Sequence, residues 1–316
     1  MLCIFNLQIM KNLTKITDLS KDEIMKIITL AFEFKNGHKA PKALEDKVVS
    51  MIFEKGSLRT KVAFEAATAQ LGGIPIFLSS PQILASGNNE KGRESIPDIA
   101  KNLERFSDLI MARVYSHKTI EAIAQSTSKP VINALCDEHH PTQALADIMA
   151  IIWHKKDLKD LKVCFIGDGN NVATSLMQIC AILGINFSIA SPQNHEIPLE
   201  FYKEALTHTT HTGSYIEICN NPEKATQNAD VVYTDTFISM GEEDQKEEKI
   251  KHFTNYQVTT KLLKTAKPNA IFMHCLPAHR GEEVTDEVMD CPQSIVFDQA
   301  ECRMHIAKSL LINYLT

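Results

Sequence analysis

Short apolar, β-branched runs alternate with helical stretches along most of this chain, and the alternation starts afresh near Leu161. In the first half, residues 48–53, 74–78, 109–114 and 130–134 read as strands, with helices over 59–71, 95–106 and 118–124. Phe64, Ala67 and Leu71 share one face of the first of those helices. In the second half, strands are expected over 161–166, 187–190, 230–234, 270–274 and 294–297. The helix after the first of them carries Val172, Leu176, Ile179, Cys180 and Leu183 about one turn apart. Strands that alternate with helices imply βαβ crossovers and therefore parallel sheets. Residues 141–153, with Pro141 at the first helical position, read as a linking helix, and 300–315 as a terminal one. The expected fold is α/β, two doubly wound parallel-sheet domains joined by that linking helix, and 316 residues suit two such domains. Ligands of such sheets gather at the carboxyl ends of strands, so a cleft between the domains is the expected site.

Composition narrows the partners. A net charge of −6 argues against nucleic acid, which selects a basic domain. Eight cysteines without a CxxC pair or regular spacing read as reduced thiols rather than a disulfide framework or a zinc site. No apolar run approaches the roughly 20 residues that span a bilayer. Residues 1–10 are apolar but lack a basic start and a small-residue cleavage site, so no signal peptide is expected. These readings point to the cytoplasm, with no membrane partner.

Six short segments carry chemistry. Residues 53–61, Phe-Glu-Lys-Gly-Ser-Leu-Arg-Thr-Lys, follow a strand and open a helix. Free backbone amides and the positive helix end favour an anion there. Ser57 and Thr60 can add hydroxyls, and Arg59 a planar charged fork suited to phosphate oxygens. The same residues also suit a plain cap, with Arg59 a solvated charge. In His139-His140-Pro141-Thr142-Gln143, His140 and Gln143 both fall at a helix start, where they can bond a carbonyl or amide, or simply cap. Gly167-Asp168-Gly169-Asn170-Asn171-Val172 resembles a dinucleotide-binding turn, but Val172 stands in place of the third glycine. Ser191 and Pro192 stand where an acidic residue would end the next strand, so a nicotinamide cofactor is not expected. Asp235-Thr236-Phe237-Ile238-Ser239-Met240-Gly241 offers a carboxylate and hydroxyls after a strand, suited to ammonium and carboxylate groups. His274-Cys275-Leu276-Pro277-Ala278 sits at another strand end. Neighbours on a strand point to opposite faces, so His274 and Cys275 are not expected to form a nucleophile–base dyad. Glu301-Cys302-Arg303 opens the terminal helix with a further cation.

Together and in this order, the six segments resemble the aspartate/ornithine carbamoyltransferase family, most closely its ornithine branch. Residues 57–61 are similar to its Ser-Thr-Arg-Thr-Arg signature, 140–143 to its HPTQ motif and 167–171 to its GDGNN segment. Residues 239–241 resemble the loop that marks the ornithine branch, 274–278 the HCLP motif, and 297–303 the closing FDEAENR. The matches run from about Ser50 to the C-terminus.

The resemblance implies transfer of a carbamoyl group from carbamoyl phosphate to the δ-amine of L-ornithine, giving citrulline and phosphate, with no metal and no organic cofactor. It implies a carbamoyl phosphate-binding domain over 1–140, to which the C-terminal helix (300–316) packs back, and an ornithine-binding domain over 141–299. Ser57, Leu58, Arg59, Thr60 and Arg113 would grip the phosphate; His140, Gln143, Cys275, Leu276 and Arg303 would surround the carbamoyl group. Asn171, Asp235, Ser239 and Met240 would hold ornithine, and Arg59, Arg113, His140, Cys275 and Arg303 would take part in catalysis. The resemblance also implies a homotrimer or a multiple of it.

Two residues depart from the family pattern. Leu58 stands for the usual threonine, and Lys61 for the second arginine. A bulky apolar residue at the first position also occurs in relatives that carbamoylate N-acylated ornithine, which is the alternative acceptor. The 239–241 loop favours free ornithine. The loop 79–94 looks longer than usual, and in the family this region reaches a neighbouring subunit's site.

Overall fold

The computed structural model describes residues 12–79, 94–238 and 246–316. Ser239, Met240 and Gly241 lie outside the described residues, as do 80–93 of the long loop and the N-terminal 1–11 with Cys3. The chain divides into two compact units, Met1–Leu145 with Cys302–Thr316, and Ala146–Glu301.

The first unit runs β1 (Asn12–Leu13), α1 (Lys21–Lys35), β2 (Val48–Phe53), α2 (Leu58–Gln70), β3 (Ile74–Ser79), α3 (Ile96–Phe106), β4 (Leu109–Arg113), α4 (His117–Ser126) and β5 (Val131–Leu135). Helix α5 (Pro141–Lys155) starts in this unit and continues into the second. Local chemistry sets these boundaries. Ser20 and Glu23 form a reciprocal capping box at the start of α1, and Ser95 caps α3 with proline in the first turn. All five strands are parallel, in the order β1-β5-β4-β2-β3. The chain steps from β2 out to β3, then returns past β2 to β4. The order therefore reverses between β2 and β4, the place where doubly wound sheets open a crevice at their carboxyl ends. Central β2 buries Val49, Met51 and Ile52 completely, as a strand covered on both faces must. Edge strand β3 instead leaves Ile74, Ile76 and Phe77 exposed.

The second unit continues with β6 (Lys162–Ile166), α6 (Asn171–Leu183), β7 (Asn186–Ala190), α7 (Leu199–Thr212), β8 (Ile216–Cys219), α8 (Pro222–Thr226), β9 (Val231–Thr234), α9 (Lys246–His252), α10 (Thr260–Leu263), β10 (Ile271–His274), α11 (Asp286–Met289) and α12 (Val296–Leu315). Its sheet is also parallel, ordered β10-β9-β6-β7-β8, and reverses between β6 and β9. The core behind that reversal holds Phe237, Phe253, Tyr256 and Phe272. Helix α12 returns to the first unit, where Ser309 Oγ donates to the Ile27 carbonyl at 2.7 Å and Tyr314 Oη to the Asn12 carbonyl at 3.3 Å. Among the described residues, no helix is long and apolar enough to cross a membrane.

One expected strand is absent. Residues 294–297 supply only an isolated bridge between Ser294 and Phe272. The Phe272 N–H donates to the Gln293 carbonyl and the Ile295 N–H to the Phe272 carbonyl; by Gln299 the chain is already bonding back to the Ile295 carbonyl as helix. A four-residue apolar run fits strand or helix equally well by pattern, and here α12 claims Val296 and Phe297. The terminal helix accordingly begins at Val296 and not at 300.

Candidate active site

In the first unit, the chemistry-bearing residues stand at a carboxyl end of the sheet or at a helix start beside it, save Arg303, which lies about two turns into α12. The Ser57 backbone is extended, and its Oγ accepts from the Thr60 N–H at 3.2 Å, so Ser57 is the cap of α2. The first-turn amides of a helix have no intrahelical acceptor, which leaves α2 an anion-seeking end. Leu58 is 73% exposed and Arg59 is half-buried, while Thr60 is fully buried. Thr60 Oγ1 accepts from Arg113 Nη1 at 3.5 Å and from Arg303 Nη2. Arg113 ends β4 opposite Phe53, and the β4–β5 register shifts between Ala112 and Arg113. Such an irregularity at a strand end re-aims the side chain that follows.

Both arginines are buried, and so is Lys55, whose Nζ lies 4.6 Å from the centre of the Tyr115 ring. Burial and then the Arg113 charge lower the Lys55 pKa from its ordinary value. Nothing local to residues 53–61 distinguishes Lys55 from a surface lysine; an anion at α2 would offset its charge along with those of the arginines.

His140 precedes α5, and its carbonyl accepts from the Gln143 and Ala144 N–H groups, at 3.1 and 3.2 Å. Its ring Nδ1 is 3.4 Å from Thr142 Oγ1. Burial, with the Arg303 and Arg113 charges, holds the imidazole well below its usual pKa. It is therefore neutral near pH 7, able to donate one hydrogen bond without adding a charge. Gln143 is fully buried one turn further on.

In the second unit, Asn170 caps α6, with Oδ1 accepting from the Val172 and Ala173 N–H groups at 3.0 and 3.1 Å. Its Nδ2 donates to Asp235 Oδ2 at 3.0 Å, across the reversal from β6 to β9. Asn171 is the first residue of α6. Gly169 is required by close approach: a Cβ there would lie 2.2 Å from the Ile197 nitrogen. The glycine thus serves packing in this unit, an alternative to the dinucleotide role of such turns. Asp235 Oδ1 accepts from Cys275 Sγ at 2.9 Å, so both carboxylate oxygens are held by neighbouring loops.

His274 and Cys275 do not diverge as strand neighbours would. Strand β10 ends at His274, the alternation stops there, and donor atoms of Asp235, His274 and Cys275 lie within 4.8 Å of one another. They still form no nucleophile–base dyad. His274 Nδ1 accepts from the Leu276 N–H at 2.9 Å and its Nε2 bonds Glu283 Oε1 at 3.0 Å, so both ring nitrogens are committed. A metal on this trio would have to break one of those bonds. Leu276 holds a left-handed backbone at φ 61°, which a branched residue keeps only when its surroundings impose it. The Nδ1 bond to its N–H is one such restraint.

The first unit therefore gathers Ser57, Arg59, Thr60, Arg113 and Arg303 with His140, and the second gathers Asp235, Cys275 and Leu276 with Asn170. A scan of family models matches residues 11–152 to the aspartate/ornithine carbamoyltransferase carbamoyl-P binding domain, and 159–314 to the Asp/Orn binding domain of the same family. The ornithine carbamoyltransferase of Caldicellulosiruptor saccharolyticus is 45% identical over 308 residues, covering 96% of this chain and 98% of that one. That of Bacillus subtilis is 45% identical over 302 residues, covering 95% and 92%. The solved structure of the Pyrococcus furiosus ornithine carbamoyltransferase superposes with a TM-score of 0.91 at 43% identity, covering 97% of each chain. Agreement of fold, paired domain models and identity along nearly the whole length shows that this chain belongs to the aspartate/ornithine carbamoyltransferase family.

Proposed function

We propose that the chain is an ornithine carbamoyltransferase, moving the carbamoyl group of carbamoyl phosphate to the δ-amine of L-ornithine and releasing citrulline and phosphate. The observation that carries this reading is the convergence of Arg113 and Arg303 on Thr60 at the start of α2, with Lys55 buried close to Arg113. Buried cations grouped at a helix start suit a phosphate dianion.

In this reading Ser57, Arg59, Thr60 and Arg113 hold the phosphate, and Leu58 contributes its backbone amide. Arg303, neutral His140 and Gln143 bond the carbamoyl group. Attack on the carbonyl carbon drives negative charge onto its oxygen, and fixed donors stabilise that charge without reorganising. Charge on the departing phosphate is met by the arginines. Asn171, Asp235, Ser239 and Met240 hold the α-amino and α-carboxyl ends of ornithine. Its side-chain amine has a reference pKa near that of lysine, about 10.4, and must lose a proton to attack. The thiol of Cys275 and the carboxylate of Asp235 are the pair that relays it, and Leu276 offers its backbone to the carbamoyl group. The residues do this chemistry by position and charge.

Steady-state kinetics with ornithine, N-acetylornithine, N-succinylornithine and putrescine as acceptors test the reading. Turnover with ornithine alone, nearly abolished in Arg59→Ala, is expected. Preference for an N-acylated acceptor would overturn the assignment, and normal turnover in Arg59→Ala would remove the loop's role.

A homotrimer or a multiple of it is supported by the exposed apolar edge of the first unit, Ile74, Ile76 and Phe77 on β3 with Val62 on α2. An uncovered apolar edge strand invites pairing or burial. Sedimentation equilibrium is expected to give three times 35.4 kDa or a multiple; a monomer refutes it. A cytoplasmic setting agrees with the described cysteines, Cys136, Cys164, Cys180, Cys219, Cys275, Cys291 and Cys302, none of which is joined in a disulfide, and cell fractionation tests it.

A further inference from the structure

Three side chains of the first unit that the proposed chemistry does not use lie close together. His117 opens α4, and Glu138 and His139 occupy the turn after β5; one donor atom from each falls within 4.8 Å of the others. The two imidazole rings meet edge to face with centroids 4.9 Å apart. His117 and His139 are buried and Glu138 is half-buried. We propose that His117, Glu138 and His139 form a binding site for a divalent first-row transition metal such as Zn²⁺, separate from the substrate residues and one residue ahead of His140.

Two imidazole nitrogens and one carboxylate oxygen are a donor set that zinc accepts, with water completing a tetrahedron. Ligand atoms around zinc sit roughly 3.3–3.4 Å apart at bond lengths near 2.0–2.1 Å, so the trio closes by at most about 1.5 Å at any edge. Support around the site is already built. Cys136 Sγ lies 3.4 Å from His117 Nδ1 and accepts from the His139 N–H at 3.3 Å, which fixes both the ring and the turn. Cys136 Sγ also accepts from Asn133 Nδ2 at 3.3 Å, so the sulfur is engaged by the scaffold around the site. The Asp137 carboxylate accepts from the His117 N–H at 2.7 Å. Together with Glu138 it offsets the opposing charge of nearby Lys55 and of the α4 start. Zinc on this trio pins the segment that carries His140, so occupancy stabilises the fold and restrains one donor of the carbamoyl site.

Two further donor groups occur among the described residues: Asp235, His274 and Cys275, which its thiol separates by spectroscopy, and His279, Glu282 and Glu283, which the His117 and His139 variants leave intact. Titration of the full-length Cys275→Ser protein with Co²⁺ alone is expected to saturate at one equivalent. The visible bands should have tetrahedral intensity, with no near-ultraviolet thiolate-to-cobalt band, and Zn²⁺ should displace the cobalt. Zn²⁺ should also raise the melting temperature of that protein. His117→Asn and His139→Phe should each lose the bands while retaining a folded far-ultraviolet spectrum; Glu138→Gln should weaken Co²⁺ binding at least tenfold and serves should either histidine variant fail to fold. The proposal is overturned if Cys275→Ser shows no saturable Co²⁺ site, if binding survives in folded His117→Asn or His139→Phe, or if the spectrum carries a thiolate band.

Discussion

Arg303 Nη2 donates to the hydroxyl oxygen of Thr60, 243 residues earlier in the chain. The hydroxyl also takes Arg113 Nη1, so one buried oxygen sets the directions of two buried guanidinium groups. Removing it while keeping the volume isolates that role. Thr60→Val is expected to lower kcat/KM for carbamoyl phosphate about 10- to 100-fold, because a hydrogen bond to a charged group contributes about 1.5–3 kcal/mol. Thr60→Ser should restore most of the loss. An unchanged kcat/KM in the valine variant would show that the arginines are directed by something else.

His140 is held neutral by burial and by the Arg303 and Arg113 charges. Its imidazole nitrogens are expected to show no titration between about pH 6 and 8 in nitrogen-15 NMR, where an ordinary histidine would pass through about 6.5. The sign for stability follows from the depressed value. Below about pH 6.5 the unfolded chain binds a proton there that the folded chain refuses, so this contribution is complete above that pH and is lost as pH falls. Wild type should therefore lose more stability between pH 7 and pH 5 than His140→Asn does. Equal losses would contradict the neutral assignment.

Asp235 is gripped by Asn170 at one oxygen and by Cys275 at the other. If it holds the ammonium of ornithine, Asp235→Asn should raise the ornithine KM at least about tenfold, while leaving the carbamoyl phosphate KM within about twofold. Cys275→Ala should instead lower kcat more than it raises either KM. A common effect of both variants on the two substrates would argue for collapse of the loop rather than separate roles.

Much of this was legible in the sequence because the signals were local. Central strands such as β2 and β4 are apolar on both faces, and Ser57 announces the helix it caps. The residues that local pattern does not mark are those whose meaning depends on distant partners. Lys55 looks like a surface charge until Arg113 and Tyr115 close over it. Residues 294–297 look like a strand because nothing local says that only Ser294 will reach Phe272. Alternation along β10 places His274 and Cys275 on opposite faces, yet the strand stops between them. The GxG turn carried a cofactor association in pattern alone, whereas its second glycine answers to the passing backbone of Glu196 and Ile197.

That packing gives a sharp test of the turn. A Cβ on Gly169 would meet the Ile197 nitrogen at 2.2 Å and the Glu196 carbonyl carbon at 2.3 Å, both backbone atoms that no rotamer change can move. Gly56, in the phosphate loop, has nothing within 4 Å of the same added atom. Gly169→Ala is therefore expected to cost on the order of 2–4 kcal/mol through forced backbone displacement. For a domain of this size that amounts to roughly 4–16 °C in melting temperature. Gly56→Ala should melt within about 2 °C of wild type, whatever it does to phosphate binding. If Gly169→Ala melts with the wild type, the 196–197 segment yields freely and the glycine has another purpose; if both variants melt early, the effect belongs to glycine removal in loops and not to this close approach.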